Sequence, residues 1–413
     1  MTDNDLYQQI LGLTSPWRVL RVELLLDSEE VLVHVAHDAS LGSLQCSECH
    51  RIGPGYDTTE QRRWRHLDTC QLKTYLVCSV PRIRCPEHGV RTAYIPWSEP
   101  NSRFTQAFEA LTITVLRATT IQSKAAHLLR LSAMQVHDVM HRAVTRGLLR
   151  RDDTQIMKRI CIDEKSIHKG HSYMTILSDA DAGRVVDVAQ GRNLVSARRL
   201  LSDAINDRQR PWVESVTMDM WPAFQSAQEH ELPHADRVHD RFHIVKYLSD
   251  AVDQTRRAEH RRLSKTGDQS LNKSKYVWLK NPDKLTAKQK EMFSVLSVSQ
   301  LDTAKVWSLK DAFNEFFACR TPQDGNTFFE NWFNAAIGLG NRFLTKVAKM
   351  FQSHVGGLLN YLKHRTTNAT AEGLNSRIQH IKASARGYRQ FENFRVAILF
   401  HLGKLDMYPL KRP

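Results

Sequence analysis

Ile160-Cys-Ile-Asp-Glu-Lys-Ser166, Tyr173-Met-Thr-Ile-Leu177, Arg184-Val-Val-Asp-Val188 and Val213-Glu-Ser-Val-Thr-Met-Asp219 decide the fold of this chain. The first three stretches are short and apolar and read as strands. The second and third flank Ser178-Asp-Ala-Asp-Ala-Gly183, a good hairpin turn. Residues 193–207 have helical spacing, and residues 213–218 return to a strand that ends on Asp219. Three strands, a helix and a strand is the order of a ribonuclease H-like sheet. Its first and last strands each deliver an aspartate, Asp163 and Asp219.

Toward the C-terminus, residues 243–362 are mostly helical, with polar breaks near 264–274 and 281–287. They read as an all-helical insertion, about 245–362, within a catalytic domain over 153–413. A last helix pair, about 370–383 and 389–403, is split at Gly387. Glu372 starts the first of these, in Thr370-Ala-Glu-Gly-Leu-Asn-Ser-Arg377. Two acids from strand ends and one from a helix can converge on two divalent cations roughly 4 Å apart, the arrangement that metal-assisted phosphoryl transfer needs. Each acid alone has an ordinary reading, a turn or cap for the aspartates and a first-turn helix acid for Glu372. The three together, in this order of elements, make the candidate catalytic set. Asp240-x2-His243 has two open readings: support of that site or contact with DNA, or a cap on a helix from His243 to Val252.

Toward the N-terminus, residues 103–150 are helical. Leu111, Val115 and Ala118 share one face, Ala125, Leu128 and Leu129 the next, and Val136, Val139, Met140 and Ala143 a third. Ser132 with Gln135 forms a capping box. Ser123–Gly147 therefore reads as a helix-turn-helix, in a domain over 101–152, with Lys124, Arg130, Gln135 and Arg142 as candidate DNA contacts. A plain helical hairpin with a basic face is the alternative. Residues 17–97 read as strands and turns. They carry Cys46-x2-Cys49 and, further on, Cys85-x2-His88, a pair of knuckles suited to one tetrahedral zinc. Four protein ligands leave no open position, so the zinc would be structural, in a β-rich zinc ribbon over 1–100. The whole reads as a multidomain α+β chain.

The formal charge is +14 over 413 residues. Residues 101–151 and 373–413 each hold eight Lys/Arg against two acids, so two short segments carry 12 of that excess. Such focusing fits phosphate binding better than general solubility. There is no signal-like N-terminus and no long apolar run, so neither secretion nor a membrane span is expected. Seven cysteines without a secretion signal fit a reducing cytosol.

The order of knuckles, helix-turn-helix, Asp163-Glu-Lys-Ser166, Thr217-Met-Asp-Met-Trp221, Asp240-Arg-Phe-His243 and Asn368-Ala-Thr-Ala-Glu-Gly-Leu-Asn-Ser376 resembles the ISL-three family of insertion-sequence transposases. The similarity spans nearly the whole chain. It implies a ribonuclease H-like domain with an Asp163, Asp219, Glu372 triad that holds two Mg²⁺, with Mn²⁺ as a substitute. It also implies double-stranded DNA partners, the terminal inverted repeats and a target, and a homodimer or larger assembly. The family's second knuckle usually ends in Cys, where this chain has His88. Many relatives carry a Lys or Arg seven residues after the Glu, where this chain has Gln379. A non-catalytic DNA-binding regulator with a decayed nuclease fold is the competing expectation.

Overall fold

The computed structural model describes residues 2–168, 172–280, 282–365 and 369–409. Asn368, which opens the Glu372 motif, lies outside them. The chain forms two compact units, Met1–Arg151 with Leu405–Pro413, and Asp152–Lys404.

In the first unit, helix α1 (Asp3–Ile10) precedes strands β1 (Trp17–Leu25), β2 (Glu30–His37), β3 (Gly55–Arg65), β4 (Lys73–Cys85) and β5 (Gly89–Thr92). The sheet order is β1-β2-β4-β3, with β5 also on β4. Trp17, Val33, Trp64 and Leu76 fill its core. Three helices follow: α2 (Gln106–Thr119), α3 (Gln122–Leu129) and α4 (Ala133–Leu149). Thr105 caps α2, and Ser132 with Gln135 forms the capping box of α4. The buried face of α4 is the expected one. That of α2 is not: Phe108, Thr112, Ile113 and Leu116 turn inward, while Leu111 and Ala118 are exposed. Leu128 of α3 is exposed as well. The sequence of α2 is apolar on more than one side, and a buried acid settles the choice. Glu109, 1% exposed, accepts from Ser102 Oγ at 2.8 Å, from Arg142 Nη2 at 2.6 Å and from Arg146 Nη2 at 2.9 Å. A buried carboxylate needs such partners.

The second unit is built on a sheet ordered β10-β9-β6-β7-β8. Strands β6 (Arg159–His168), β7 (Ser172–Asp179) and β8 (Arg184–Gln190) form an antiparallel meander. After α5 (Leu194–Ala204), strand β9 (Ser215–Met218) pairs parallel to β6. After α6 (Pro222–Glu231), strand β10 (Asp236–His239) pairs parallel to β9. Ile160, Ile162, Leu177, Val186 and Val216 pack with Leu200, Leu201 and Phe224 of the helices. Strand β10 has no counterpart in the sequence reading.

A long helix α7 (Arg241–Ser264) then leaves the sheet. It is followed by α8 (Lys275–Leu279), α9 (Ala287–Ser297), α10 (Asp302–Ala312), α11 (Asn314–Ala318), α12 (Pro322–Gly338), α13 (Arg342–Ser353) and α14 (Val355–His364). These helices bury Trp278, Phe313, Phe316, Trp332 and Phe351 in a core that also takes in Val238 of β10. Helices α15 (Ala369–Ser384) and α16 (Phe391–Leu402) return the chain to the sheet, α15 against β6 and α16 against β8. Among the described residues, no helix is long and apolar enough to cross a membrane.

Candidate active site and metal centre

Strand register brings the acids together. Strands β6 and β9 pair at Ile160–Val216 and Cys161–Thr217, and β9 and β10 at Met218–His239. Carried two residues and one residue further, these registers set Asp163, Asp219 and Asp240 at one level on adjacent strands about 4.8 Å apart. The three acids and His243 line one narrow cleft.

Helix α7 supplies the next layer. Asp240, 3% exposed, caps it, with Oδ1 accepting from the Phe242 amide at 3.0 Å. Its Oδ2 lies 3.0 Å from His243 Nδ1, and His243 Nε2 faces Asp219 Oδ2 at 4.0 Å. One turn on, Tyr247 Oη donates to Asp219 Oδ1 at 3.1 Å. Residues 240, 243 and 247 share a helix face, which is why one helix can serve two acids. Both earlier readings of Asp240-x2-His243 thus have a basis: Asp240 is a helix cap, and it also holds a histidine that faces Asp219.

Burial pushes the Asp163 carboxyl above its ordinary range, and Asp240's charge adds to this. The Glu164 amide, Asn375 and His243 oppose it. Burial pulls His243 down, but its hydrogen bond to Asp240 and the charges of Asp219, Asp240 and Asp163 outweigh that and hold it above the ordinary imidazole value. Three carboxylates and one imidazole thus face a single cleft.

From α15 the side chain that touches an aspartate is Asn375, whose Nδ2 donates to Asp163 Oδ2 at 2.6 Å. Glu372 sits one turn earlier and is exposed. Residues three apart on a helix have Cβ atoms about 5–6 Å apart, so Glu372 is a near neighbour of the group that reaches Asp163. The three acids of the expected triad do not form a tight ligand cluster: among the described residues, only Cys46, Cys49, Cys85 and His88 gather their ligand atoms within 4.8 Å of one another.

That second cluster has the dimensions of a zinc site. With Zn–S near 2.3 Å and Zn–N near 2.05 Å, a tetrahedron spaces two sulfurs about 3.8 Å apart and a sulfur and a nitrogen about 3.6 Å apart. Cys49 Sγ lies 3.6 Å from Cys85 Sγ, and Cys85 Sγ lies 3.6 Å from His88 Nδ1. Glu48 faces the other ring nitrogen of His88 at 3.6 Å, the carboxylate–histidine arrangement that orients a ligand. An Arg51 amide pulls the Cys49 thiol down, but burial and the crowding sulfurs of Cys85 and Cys46 leave it pushed up to about 11. A divalent cation relieves such crowding. Cys70 and Cys78 stand outside the cluster.

Two family models match this chain. A family model described as transposase, the DDE domain of the ISL3 group, matches residues 160–398. The chain belongs to the ISL3 family of DDE transposases. A second model, the zinc-finger of transposase IS204/IS1001/IS1096/IS1165, matches residues 43–88, which end on His88. The transposase for insertion sequence element IS1557 of Mycobacterium tuberculosis is 24% identical over 369 residues, covering 84% of this chain and 82% of its own length. The transposase for insertion sequence element IS1001 of Bordetella parapertussis is 24% identical over 355 residues, covering 84% and 86%. This chain is accordingly a DNA transposase, an enzyme of DNA cleavage and transfer with a structural zinc ribbon. The reading as a non-catalytic regulator is not favoured.

In this transposase the four candidate DNA contacts fare differently. Arg142 is half-buried and committed to Glu109. Arg130 pairs with Asp68 and donates to the Gln71 carbonyl at 2.8 Å. Gln135 Oε1 accepts from the Ser132 amide at 2.9 Å within the capping box. Lys124 is exposed on α3. Both arginines thus read as braces of the first unit, because each guanidinium is already held by a carboxylate. Two groups at the acids were missed in the sequence, Asn375 and Tyr247. Their signal was present: each lies three or four residues from a residue already singled out, Glu372 and His243.

Proposed function

We propose that this transposase mobilises an insertion sequence, cutting and joining DNA at Asp163, Asp219 and Glu372. The sheet order β10-β9-β6-β7-β8 supports a ribonuclease H-like catalytic domain over 153–413, interrupted by the α7–α14 insertion. The observation that carries the reading is the level placement of Asp163 and Asp219 on adjacent parallel strands, with Asn375 tying the Glu372 helix to Asp163. Asp163, Asp219 and Glu372 would hold two Mg²⁺, or Mn²⁺ in their place, and such ions would activate the attacking oxygen and stabilise the leaving one.

The chain's own groups do the rest. Asp163, Asp219 and Glu372 provide the hard oxygen ligands. Tyr247 and Asn375 donate to Asp219 and Asp163 and fix the orientation of each carboxylate. Asp240 fixes the His243 ring so that Nε2 faces Asp219. No side chain acts as nucleophile. In cleavage a water oxygen bonds to phosphorus as the bond to the DNA 3′-oxygen breaks. In joining that 3′-OH attacks a target phosphorus and a target 3′-oxygen leaves.

The first unit is the DNA-binding part. Its zinc ribbon over 1–100 and its α3–α4 helix-turn-helix within 101–152 hold the terminal inverted repeats. Lys124 takes a phosphate, and Gln135, with its Nε2 donors, works at the start of α4. Two element ends must meet, so the active form is a dimer or larger assembly on DNA, working in the bacterial cytoplasm at the nucleoid. The test is Asp219→Ala. It abolishes strand cleavage and joining while the protein still shifts terminal-repeat DNA in a gel. A variant that still excises the element overturns the triad.

A further inference from the structure

Beside the acids lies an open cleft of about 480 Å³, with Tyr173, Arg192 and Trp221 on its walls. Trp221 follows Asp219 by two residues and is 40% exposed, unlike Trp278 and Trp332, which are buried. Its single donor is already used, since Nε1 donates to the Arg192 carbonyl at 3.1 Å. What Trp221 still offers is therefore π surface. The Arg192 guanidinium lies 3.9 Å from the centre of the Tyr173 ring and 4.9 Å from that of Trp221. Glu164, the neighbour of Asp163, pins that guanidinium at 3.1 Å. Trp221 and Arg192 are each fixed by a hydrogen bond, and with Tyr173 under the guanidinium they form a preorganised surface for a flat aromatic group.

We propose that Trp221, backed by Arg192 and Tyr173, is a stacking platform for one unpaired base of the DNA strand whose phosphate is cut at Asp163 and Asp219. The proposal rests on the catalytic reading above. Its physical logic is local. In-line attack needs an accessible phosphate, and a neighbouring base swung out of the duplex opens the backbone there. Unstacking that base is unfavourable, and an aromatic platform offsets much of the cost without reading sequence. The occupant is a nucleobase and not an apolar protein segment, because the platform carries a cation and adjoins the site that must hold DNA phosphate.

The experiment is a mutant cycle with the full-length protein. Terminal-repeat duplexes carry an abasic nucleotide at each position flanking the cleaved phosphate in turn. On intact DNA, Trp221→Ala lowers strand joining roughly ten- to a hundredfold, and Trp221→Phe restores most of it. At one position, removing the base weakens the wild type but leaves Trp221→Ala unchanged, the non-additivity of two partners in contact. If Trp221→Ala joins at the wild-type rate, or if the two losses multiply at every position, the platform is overturned and an apolar protein partner becomes its better occupant. If the wild type itself does not cut DNA, the catalytic reading fails instead, so the two failures are distinguishable.

Discussion

The zinc cluster and the carboxylate cleft, the second a metal site on the proposed function, are prepared differently. Cys46, Cys49, Cys85 and His88 already sit at tetrahedral spacing. Their turns are local, two knuckles brought together by β4 and its neighbours. The acids come from two strands and a helix, with the α7–α14 insertion between Asp219 and Glu372. Asp163 and Asp219 are level, yet Asn375 and Tyr247 occupy part of their hydrogen-bonding capacity, and Glu372 stays exposed. A closed site with soft ligands belongs to the fold. On the proposed function, a site with hard ligands and an exposed member is completed by its cations and its substrate.

The largest expected effect separates the two. Cys49→Ser loses a zinc ligand, and structural zinc is worth on the order of 10–16 kcal/mol in small zinc domains. The variant should purify without stoichiometric zinc by atomic emission and lose both the fold of the ribbon and binding to repeat DNA. Brief treatment with a weak chelator should do the reverse: cleavage stops and returns on adding Mg²⁺, while zinc content and far-UV circular dichroism do not change. If Cys49→Ser keeps its zinc, or if mild chelation removes both functions together, the two sites do not differ in the way described.

Local signals were the legible ones. The knuckles, the Ser132 capping box, the β6–β8 meander and the two aspartates each announce themselves within a few residues. The misses share a cause, which is that tertiary contacts decided them. Strand β10, Asp236-Arg-Val-His239, is four residues long and has no alternation of its own; parallel pairing to β9 makes it a strand. Strand β3 is almost wholly polar and exposed until Trp64. The buried face of α2 depends on Glu109 meeting arginines from α4. Trp221 is exposed, and nothing in its sequence neighbours reports that. Glu372 was placed by its motif, and Asn375, one turn along, is what ties that helix to the sheet.

A smaller effect tests whether basic residues of the zinc-bearing unit serve the fold or the DNA. Arg142→Met leaves Glu109 buried with Arg146 and Ser102 but without one cation. Breaking a buried pair from one side costs about 3–5 kcal/mol, and the remaining partners favour the lower end. Urea unfolding should show that loss. Unchanged stability with weakened DNA binding would return Arg142 to the DNA-facing set.

Acid should weaken the two regions for different reasons, and His239 makes the difference measurable. It is 1% exposed on β10, with its ring against Gly357 of α14; a Cβ on that glycine would lie 2.4 Å from the ring. Burial, helped by the charge of His354, pushes its pKa down to about 3. Unfolded, it titrates near 6.5. Between those values the unfolded chain binds a proton that the folded chain does not, so stability present above pH 6.5 is lost as pH falls toward 3. The slope approaches about 1.4 kcal/mol per pH unit within that window. His239→Phe keeps a ring in the same place and cannot titrate, so its melting temperature should fall less steeply between pH 7.5 and 5. Lys363 and His364 outweigh the burial of Asp236 and hold its carboxyl low, so its contribution to stability is lost only as pH falls below the ordinary carboxylate range, outside that window. Zinc release is also driven by acid, since thiolates must reprotonate, but excess zinc opposes it. A slope that added zinc abolishes would locate the acid sensitivity in the ribbon; one that zinc leaves alone and His239→Phe reduces locates it at β10, beside the Asp163 and Asp219 cleft.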